Sequence, residues 1–420
     1  MDDRIRQYID EHREEMIGTL VELIRTPSPD GGETKAQEIV RRKLEETGFL
    51  IETFRMDERV KDCPDYCEPG MVYHPEAYNL AGSKKGRKQG RSLLLFGHID
   101  TESEDHFGTF DDPYRAEVTE DKIVGLGAAD DKGGIAMMLE ALKAAQTIAG
   151  EPDYDITVLS ILGKHGGAFG TLSAMRKGYT GDDAIYLHPA ETGHGFQEIK
   201  NISLGILDMK LTVYGKPGIP HDDLSAGENA NLRMAEAVSI LEDFNQAKRK
   251  ERLFDFGSFK GQPSYLLNIG TISSEGTYGT ICEKAECLFR CRFFFPLTTE
   301  DVFTELKECL EENLEGDWVL EKALTRAEPA MVDNDDPFVR FIERSITKVE
   351  GEKEFIHQYH GGSDIRFPIL YGKSRCVGIG PYCELPVKGS GTREWIDIED
   401  YLRGVAILTT ILIDYGKEER

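Results

Sequence analysis

Lysine and histidine stand side by side in the stretch VLSILGKHGGAFGT, residues 158–171, where an apolar run meets a glycine-rich turn. An imidazole offers a nitrogen to a metal, and a lysine offers a positive charge or, when desolvated, a base. The run VLSIL has the length and composition of a buried strand, and α/β enzymes build their sites where such strands end. Lys164 and His165 are therefore candidates for chemistry, provided that other groups converge on them.

Further polar clusters follow other strand-like runs. GHIDT supplies His98 and Asp100, whose spacing of two puts both side chains on one face of a strand. His98 could bind a metal through one ring nitrogen while the Asp100 carboxylate orients the other. Asp130 lies in the glycine-rich GLGAADDKGG, and His188 ends DDAIYLH before a proline. Taken singly, each cluster could be a histidine at a strand end or an aspartate that caps a helix. Because all of them lie at the ends of predicted strands, together they predict a metal site.

The segments that carry these clusters alternate between helix and strand periodicity up to about residue 198, which is typical of an α/β layered domain. From about residue 199 the pattern changes to long strand-like runs such as ISLGILDMKLTVYG, with helices at about 227–247 and 299–314. From about residue 321 the alternation of helix and strand periodicity returns. We therefore predict a catalytic domain formed by residues 1–198 and 321–420, interrupted by an α+β domain of residues 199–320.

Composition restricts the classes of partner. The formal net charge of -26 over 420 residues would repel a nucleic-acid backbone or an anionic membrane, so we expect neither as a partner. No apolar run approaches the roughly 20 residues that span a bilayer, and the first segment is charged and helix-patterned rather than signal-like. These features favour the cytoplasm, where the eight cysteines are expected to remain free thiols, mostly in the core.

Five motifs, in this order along the chain, resemble the M20 metallopeptidase family: LLLFGHIDT, GLGAADDKGG, GGAFGT, GGSDIR at 361–366 and REWIDIEDY. That family includes acetylornithine and succinyl-diaminopimelate deacetylases, carboxypeptidase G2 and aminoacylase. The resemblance covers nearly the whole chain. It implies a metallo-exopeptidase-like α/β catalytic domain with an inserted α+β lid that often forms a dimer. It also implies hydrolysis of an amide beside a carboxylate by one or two bound metals, commonly zinc.

The family pattern is only partly kept at the metal site. His98 matches a metal-binding histidine, Asp100 its orienting carboxylate and Asp130 a bridging aspartate. Where the family has two consecutive glutamates, a general base followed by a metal ligand, this chain has Lys164 and His165. The resemblance thus implies a metal site whose usual base has been replaced.

Two further ligand positions also depart from the family. His188 stands where the family has an acidic ligand, and Ser390 falls where its last histidine ligand would lie. Serine binds zinc poorly compared with imidazole or carboxylate. We therefore expect one divalent transition metal per chain, with zinc as the expected ion. His98, Asp130 and His188 would hold it, with His165 as a fourth ligand where the geometry allows.

The substrate side of the site is predicted from three residues. His221, in the predicted lid, resembles a histidine that contacts the substrate across the dimer. Arg292 and Arg366 are candidates for holding a substrate carboxylate, because a guanidinium grips it with two hydrogen bonds, and a surface ion pair is the alternative for each. The expected partners are a small anionic substrate and a second copy of the chain.

These features predict a metal-dependent hydrolase of the M20 type that cleaves a C–N bond, in an amide, peptide or amine, of a small anionic substrate. Lys164 would act either as a base, if burial lowers its pKa, or as a charge that stabilises an oxyanion. The alternative is a catalytically silent relative that binds a ligand or partner in the old active-site cleft. Sensitivity of ligand binding to chelators separates the two.

Overall fold

The parallel strands that end in polar clusters form the middle of a large mixed sheet. The computed structural model describes residues 1–29, 31–66, 76–102, 111–164, 167–190, 193–218, 227–255, 259–385 and 393–417. Strands β1 to β3 are Leu50–Phe54, Asn79–Lys84 and Ser92–His98, β6 and β7 are Asp155–Ile161 and Asp183–Leu187, and β14 is Arg375–Ile379. Neighbours run in the order β1, β2, β6, β3, β7, β14.

Strands β6, β3, β7 and β14 are parallel, so their carboxyl ends meet at one edge of the sheet. Their side chains are almost entirely buried, which explains why they read as continuous apolar runs rather than as alternating ones. The predicted position of the polar clusters at a common edge therefore has a direct structural cause.

Helices cover both faces of this sheet. Those of the catalytic unit are α1 (Asp3–Ile24), α2 (Thr34–Glu46), α3 (Lys132–Ala149), α4 (Phe169–Lys177), α7 (Pro337–Glu350) and α8 (Ile398–Tyr415). One core cluster takes its side chains from α1, α2, α3, α7 and α8, and another takes them from α4 and the segment 54–66. The mixed α/β fold predicted from the sequence is confirmed.

Strand β8 (Glu198–Tyr214) continues from this sheet into a second, smaller unit. The unit's other elements are α5 (Ala230–Glu251), β9 (Leu266–Ser274), β10 (Lys284–Phe293), α6 (Thr299–Asn313) and β11 (Trp318–Ala327). Its strands are antiparallel. Helices α5 and α6 contribute to a separate hydrophobic core, whose buried residues all belong to the chain segment from Leu207 to Leu320. The predicted limits at 199 and 320 fall inside β8 and β11, and we propose that the insert begins and ends within these strands.

A short second sheet lies beside the site. It is formed by β4 (Glu117–Val118), β5 (Lys122–Val124), β15 (Cys383–Glu384) and β16 (Trp395–Asp397). The remaining short strands, β12 (Ala330–Met331) and β13 (Ile356–Gly361), pair with the first part of β8. Among the described helices, none combines the length and the apolar character needed to cross a bilayer.

Candidate metal centre

Three side chains meet at the carboxyl edge of the parallel strands. His98 is the last residue of β3, His188 follows β7 directly, and Asp130 lies in the loop just before α3. Nε2 of His98 lies 2.7 Å from Oδ1 of Asp130, and Nε2 of His188 lies 3.1 Å from the same oxygen. One ligand atom from each residue falls within 4.8 Å of the others, a spacing that suits a single cation.

His98 is oriented by its other ring nitrogen. Its Nδ1 lies 3.1 Å from the carbonyl oxygen of Asp100 and 3.5 Å from that residue's Oδ1. A proton on Nδ1 faces these acceptors, and the lone pair is then on Nε2, beside Asp130. Asp100 therefore lies where the sequence predicts it, as the group that fixes the ring.

The charges of this cluster stabilise one another. Burial alone would lower the pKa of His98, but the charge of Asp130 and the hydrogen bonds to Asp100 and Asp130 raise it well above its usual value. Desolvation would raise the pKa of Asp130, but the two imidazoles hold it well below its usual value. The directions of these two pKa shifts favour a protonated His98 imidazole beside an ionised Asp130 carboxylate.

Lys164 lies beyond the end of β6 and forms an ion pair with Asp364. Its Nζ lies 2.9 Å from Oδ1 of Asp364, and only 14% of its side chain is exposed. The Thr171 hydroxyl donates to the other oxygen of Asp364, and Nη1 of Arg366 approaches at 3.9 Å. Burial opposes ionisation of Asp364, but the charges of Lys164 and Arg366 lower its pKa. No local pattern in the sequence marks Asp364 as the partner of Lys164.

Tyr186 packs beside the ring of His188. Its ring is fully buried in the middle of β7 and lies 4.8 Å from the ring of His188. Burial raises the pKa of its hydroxyl well above the usual value, and the charges of Asp364 and Asp130 add to that effect. Tyr186 thus contacts the three-residue cluster through His188, and its hydroxyl interacts electrostatically with Asp364, the partner of Lys164.

Lys200 is a second lysine at the site that the sequence did not single out. It lies near the start of β8, is buried, and places its Nζ 3.0 Å from Nδ1 of His188. It also donates to the carbonyl oxygen of Pro189. Because the Lys200 ammonium donates to Nδ1 of His188, a neutral His188 ring carries its proton on Nε2, which faces Asp130. A cation that binds Nε2 would therefore replace this proton.

The predicted substrate-binding arginines lie in different surroundings. Arg366 is 4% exposed; its Nε donates to Asp65 at 3.1 Å, and its Nη1 donates to the carbonyl oxygens of Gly362 and Ser363. These contacts count against its role as a free carboxylate anchor. Arg292 is exposed on β10 and lines a groove of about 640 Å³ on the sheet face of the small unit opposite its core.

Three other predicted residues, His165, His221 and Ser390, lie outside the described residues. The roles proposed for them, like the substrate-binding role of Arg292, stay predictions. Among the described residues, His98, Asp130 and His188 form the group that could hold a metal, and they are the three that the sequence analysis assigned to a single metal.

Comparison with known proteins identifies the family. The model of peptidase family M20/M25/M40 matches residues 94–414. The chain belongs to this family. The match begins within β3 and ends within α8, so it includes the three clustered residues, Lys164 and the inserted unit.

Its relatives in the family are hydrolases. The chain is 28% identical over 360 residues to a succinyl-diaminopimelate desuccinylase of Methylobacterium radiotolerans, covering 82% of this chain and 84% of the relative. The fold resembles that of aminopeptidase PepT from Bacillus cereus, with a TM-score of 0.74, 19% identity and coverage of 97% and 99%. It also resembles the Bacillus subtilis YXEP protein, a dinuclear metal-binding M20 peptidase, with a TM-score of 0.67, 14% identity and coverage of 96% and 99%.

The described side chains fit one of the divalent cations that the family implies. Two imidazole nitrogens and one carboxylate oxygen converge, and the His98 ring is held with Nε2 facing the cluster. Three protein ligands with an open position are the usual arrangement of a catalytic zinc site.

The affinity for metal is expected to fall as the pH is lowered from about 8 to about 6. The pKa of His98 is raised in the metal-free site, so below that pKa its Nε2 carries a proton that a cation must displace. Each displaced proton weakens binding by about tenfold per pH unit. Competition between the protein and a chromophoric chelator for Zn²⁺, with the chelator's own protonation corrected, measures this. A pH-independent affinity would contradict it.

Proposed function

We propose that this protein hydrolyses an amide bond in a small substrate that carries an anionic group, with one divalent cation, zinc expected, held by His98, Asp130 and His188. The observation that carries the proposal is the convergence of these three side chains at the carboxyl edge of the sheet in an M20 chain. The proposal of one cation rather than two is based on the ligand replacements in the sequence.

The roles of the protein side chains follow from their contacts. A cation at this site would polarise the amide carbonyl and lower the pKa of a water. Asp100 keeps the His98 ring in the orientation that presents Nε2, and Asp130 holds both imidazoles on one oxygen. These contacts position the ligands before the substrate binds.

We propose that Lys164 stabilises negative charge that develops on the substrate oxygen, rather than acting as a base. The Nζ of Lys164 donates a hydrogen bond to Oδ1 of Asp364 at 2.9 Å, so this carboxylate holds the lysine in place and engages it as a donor. A fixed positive charge in a site largely screened from water is an effective oxyanion stabiliser. In that case another group would act as the general base, the role that a glutamate has in the family, or the water would react without one.

The preferred substrate class is an N-acyl amino acid or a related acylated amine. The relative from Methylobacterium radiotolerans is a desuccinylase of succinyl-diaminopimelate, an amide with several carboxylates. Arg292 is an exposed cation on the small unit that could hold such a carboxylate. A homodimer in which His221 reaches the partner's substrate, and a cytoplasmic location, remain predictions.

A catalytically silent relative is the second candidate. Two observations favour it: Lys164, which the resemblance aligns with the usual base, is paired with Asp364, and Lys200 brings a second ammonium to His188. Added positive charge weakens the binding of a cation. In this case a ligand would bind in the cleft without metal.

Hydrolysis of a panel of substrates decides between the two. N-succinyl and N-acetyl amino acids and dipeptides would be tested with the protein as purified, after chelation and after return of Zn²⁺, Co²⁺ or Mn²⁺. The proposal predicts turnover that chelation removes and a metal restores. No turnover with metal bound, together with chelator-insensitive ligand binding in calorimetry, would support the silent relative.

A further inference from the structure

The carboxylate of Glu394 is buried against the loop that carries Asp130. Only 2% of the residue is exposed. Its Oε1 accepts hydrogen bonds from the backbone N–H groups of Ala129 at 2.8 Å and Asp130 at 2.9 Å, and its Oε2 accepts one from Gly127 at 2.9 Å. One side chain thus accepts hydrogen bonds from three backbone N–H groups of the same short loop.

The short second sheet brings Glu394 to this loop. Strand β16 begins at the next residue and pairs with β5, with Trp395 opposite Val124. The carbonyl oxygen of Glu394 also accepts from the backbone N–H of Gly125, at 3.1 Å. The main chain of Glu394 therefore binds the start of the loop at Gly125, and its side chain binds the loop from Gly127 to Asp130.

The sequence of the loop does little by itself to fix its conformation. Its glycine-rich sequence GLGAADD confers little intrinsic stiffness, because glycine accepts many backbone conformations. The inward-turned N–H groups would be costly to bury without acceptors. A carboxylate that accepts all three satisfies them and fixes the direction in which the Asp130 side chain leaves the backbone.

We infer that Glu394 is a positioning residue for the metal site: by holding the Gly127–Asp130 loop, it aims Oδ1 of Asp130 between the two imidazoles. This inference rests on the proposed function, because it takes Asp130 as a metal ligand. It adds a residue that binds the backbone of Asp130 rather than its ligand oxygen, and that lies 264 residues from Asp130 in the chain.

Glu394→Gln tests the inference with a readout other than catalysis. The amide keeps the shape of the side chain but replaces one acceptor oxygen by an NH₂ group that faces backbone donors. We expect the affinity for Zn²⁺ to fall about 10–100-fold, as for other residues that orient metal ligands. The visible spectrum of the Co²⁺-loaded protein should also shift, because the geometry of the ligands changes.

Glu140→Gln is the matched control. Glu140 is also 2% exposed, and its carboxylate is bound by the Thr19 hydroxyl and by Lys43, away from the site. This variant should lower the melting temperature of the metal-free protein but leave the Zn²⁺ affinity and the Co²⁺ spectrum unchanged. If Glu394→Gln does not fold, Glu394→Asp, which withdraws the carboxylate by one methylene, should show the same loss to a smaller extent.

The outcomes are distinct. A Glu394→Gln protein that melts earlier than wild type but binds Zn²⁺ with unchanged affinity and spectrum would overturn the inference and leave the proposed function in place. Wild-type protein that binds no divalent metal would overturn both. Loss of affinity in Glu394→Gln and not in Glu140→Gln would support the inference.

Discussion

Replacing His98 by alanine is expected to empty the metal site and abolish hydrolysis. His98 supplies one of three clustered ligand atoms, and its Nε2 makes the shortest contact in the cluster, 2.7 Å to Asp130. Elemental analysis should find about one transition metal per wild-type chain, as expected for one site of three protein ligands, and almost none in the variant. Activity should fall by at least about 1,000-fold, because the water is no longer acidified.

The matched control for this change is His12→Ala. His12 is a histidine of α1 whose ring stacks on Tyr8 and whose Nδ1 lies 2.9 Å from that residue's carbonyl oxygen. Its loss should leave metal content and activity unchanged. Full metal content in His98→Ala, or two tightly held metals per wild-type chain, would show that other residues form the site.

Replacing Lys164 by alanine is expected to abolish activity, to leave the metal bound and to destabilise the fold by about 3 kcal/mol. Asp364 would be left buried without its closest cation, and breaking one side of a buried ion pair costs about 3–5 kcal/mol. We expect the lower end of this range because Thr171 and Arg366 still face the carboxylate. Denaturant unfolding, elemental analysis and turnover of the best substrate measure the three effects.

Lys43→Ala separates the catalytic effect from the loss of stability. Lys43 pairs with the buried Glu140 at 3.1 Å, and the exposures of these two side chains, 15% and 2%, resemble the 14% and 0% of Lys164 and Asp364. The two variants should lose similar stability, but only Lys164→Ala should lose activity. Metal loss in Lys164→Ala would mean that Lys164 supports the ligands and is not confined to the chemistry.

The sequence predicted the parts of the site that depend on local spacing. The interval of two between His98 and Asp100 on a strand, and the position of His188 at the end of β7, were sufficient to place these groups at one edge of the sheet. The helices predicted at about 227–247 and 299–314 were also found to within a few residues, as Ala230–Glu251 and Thr299–Asn313. Periodicity over a dozen residues is a strong signal.

The partners that depend on distant chain segments were not predicted. Asp364 meets Lys164 across 200 residues and Glu394 meets Asp130 across 264, and no local pattern marks either pairing. Strand β1 was missed for another reason: it has five residues, mostly exposed, and so lacks both an apolar run and a clear alternation. Tertiary contacts, rather than local preference, determine such elements.

Strand β8 makes the small unit inseparable from the large one. Its first residues pair with β13, β12 and β14, and its remaining residues pair with β10 and β11, so the same 17-residue strand belongs to both units. Removing the insert by joining its two ends would expose unpaired strand edges on β13 and β14, where another chain could add a strand. The insert is therefore not a detachable module, and truncations for separate expression should keep β8 whole.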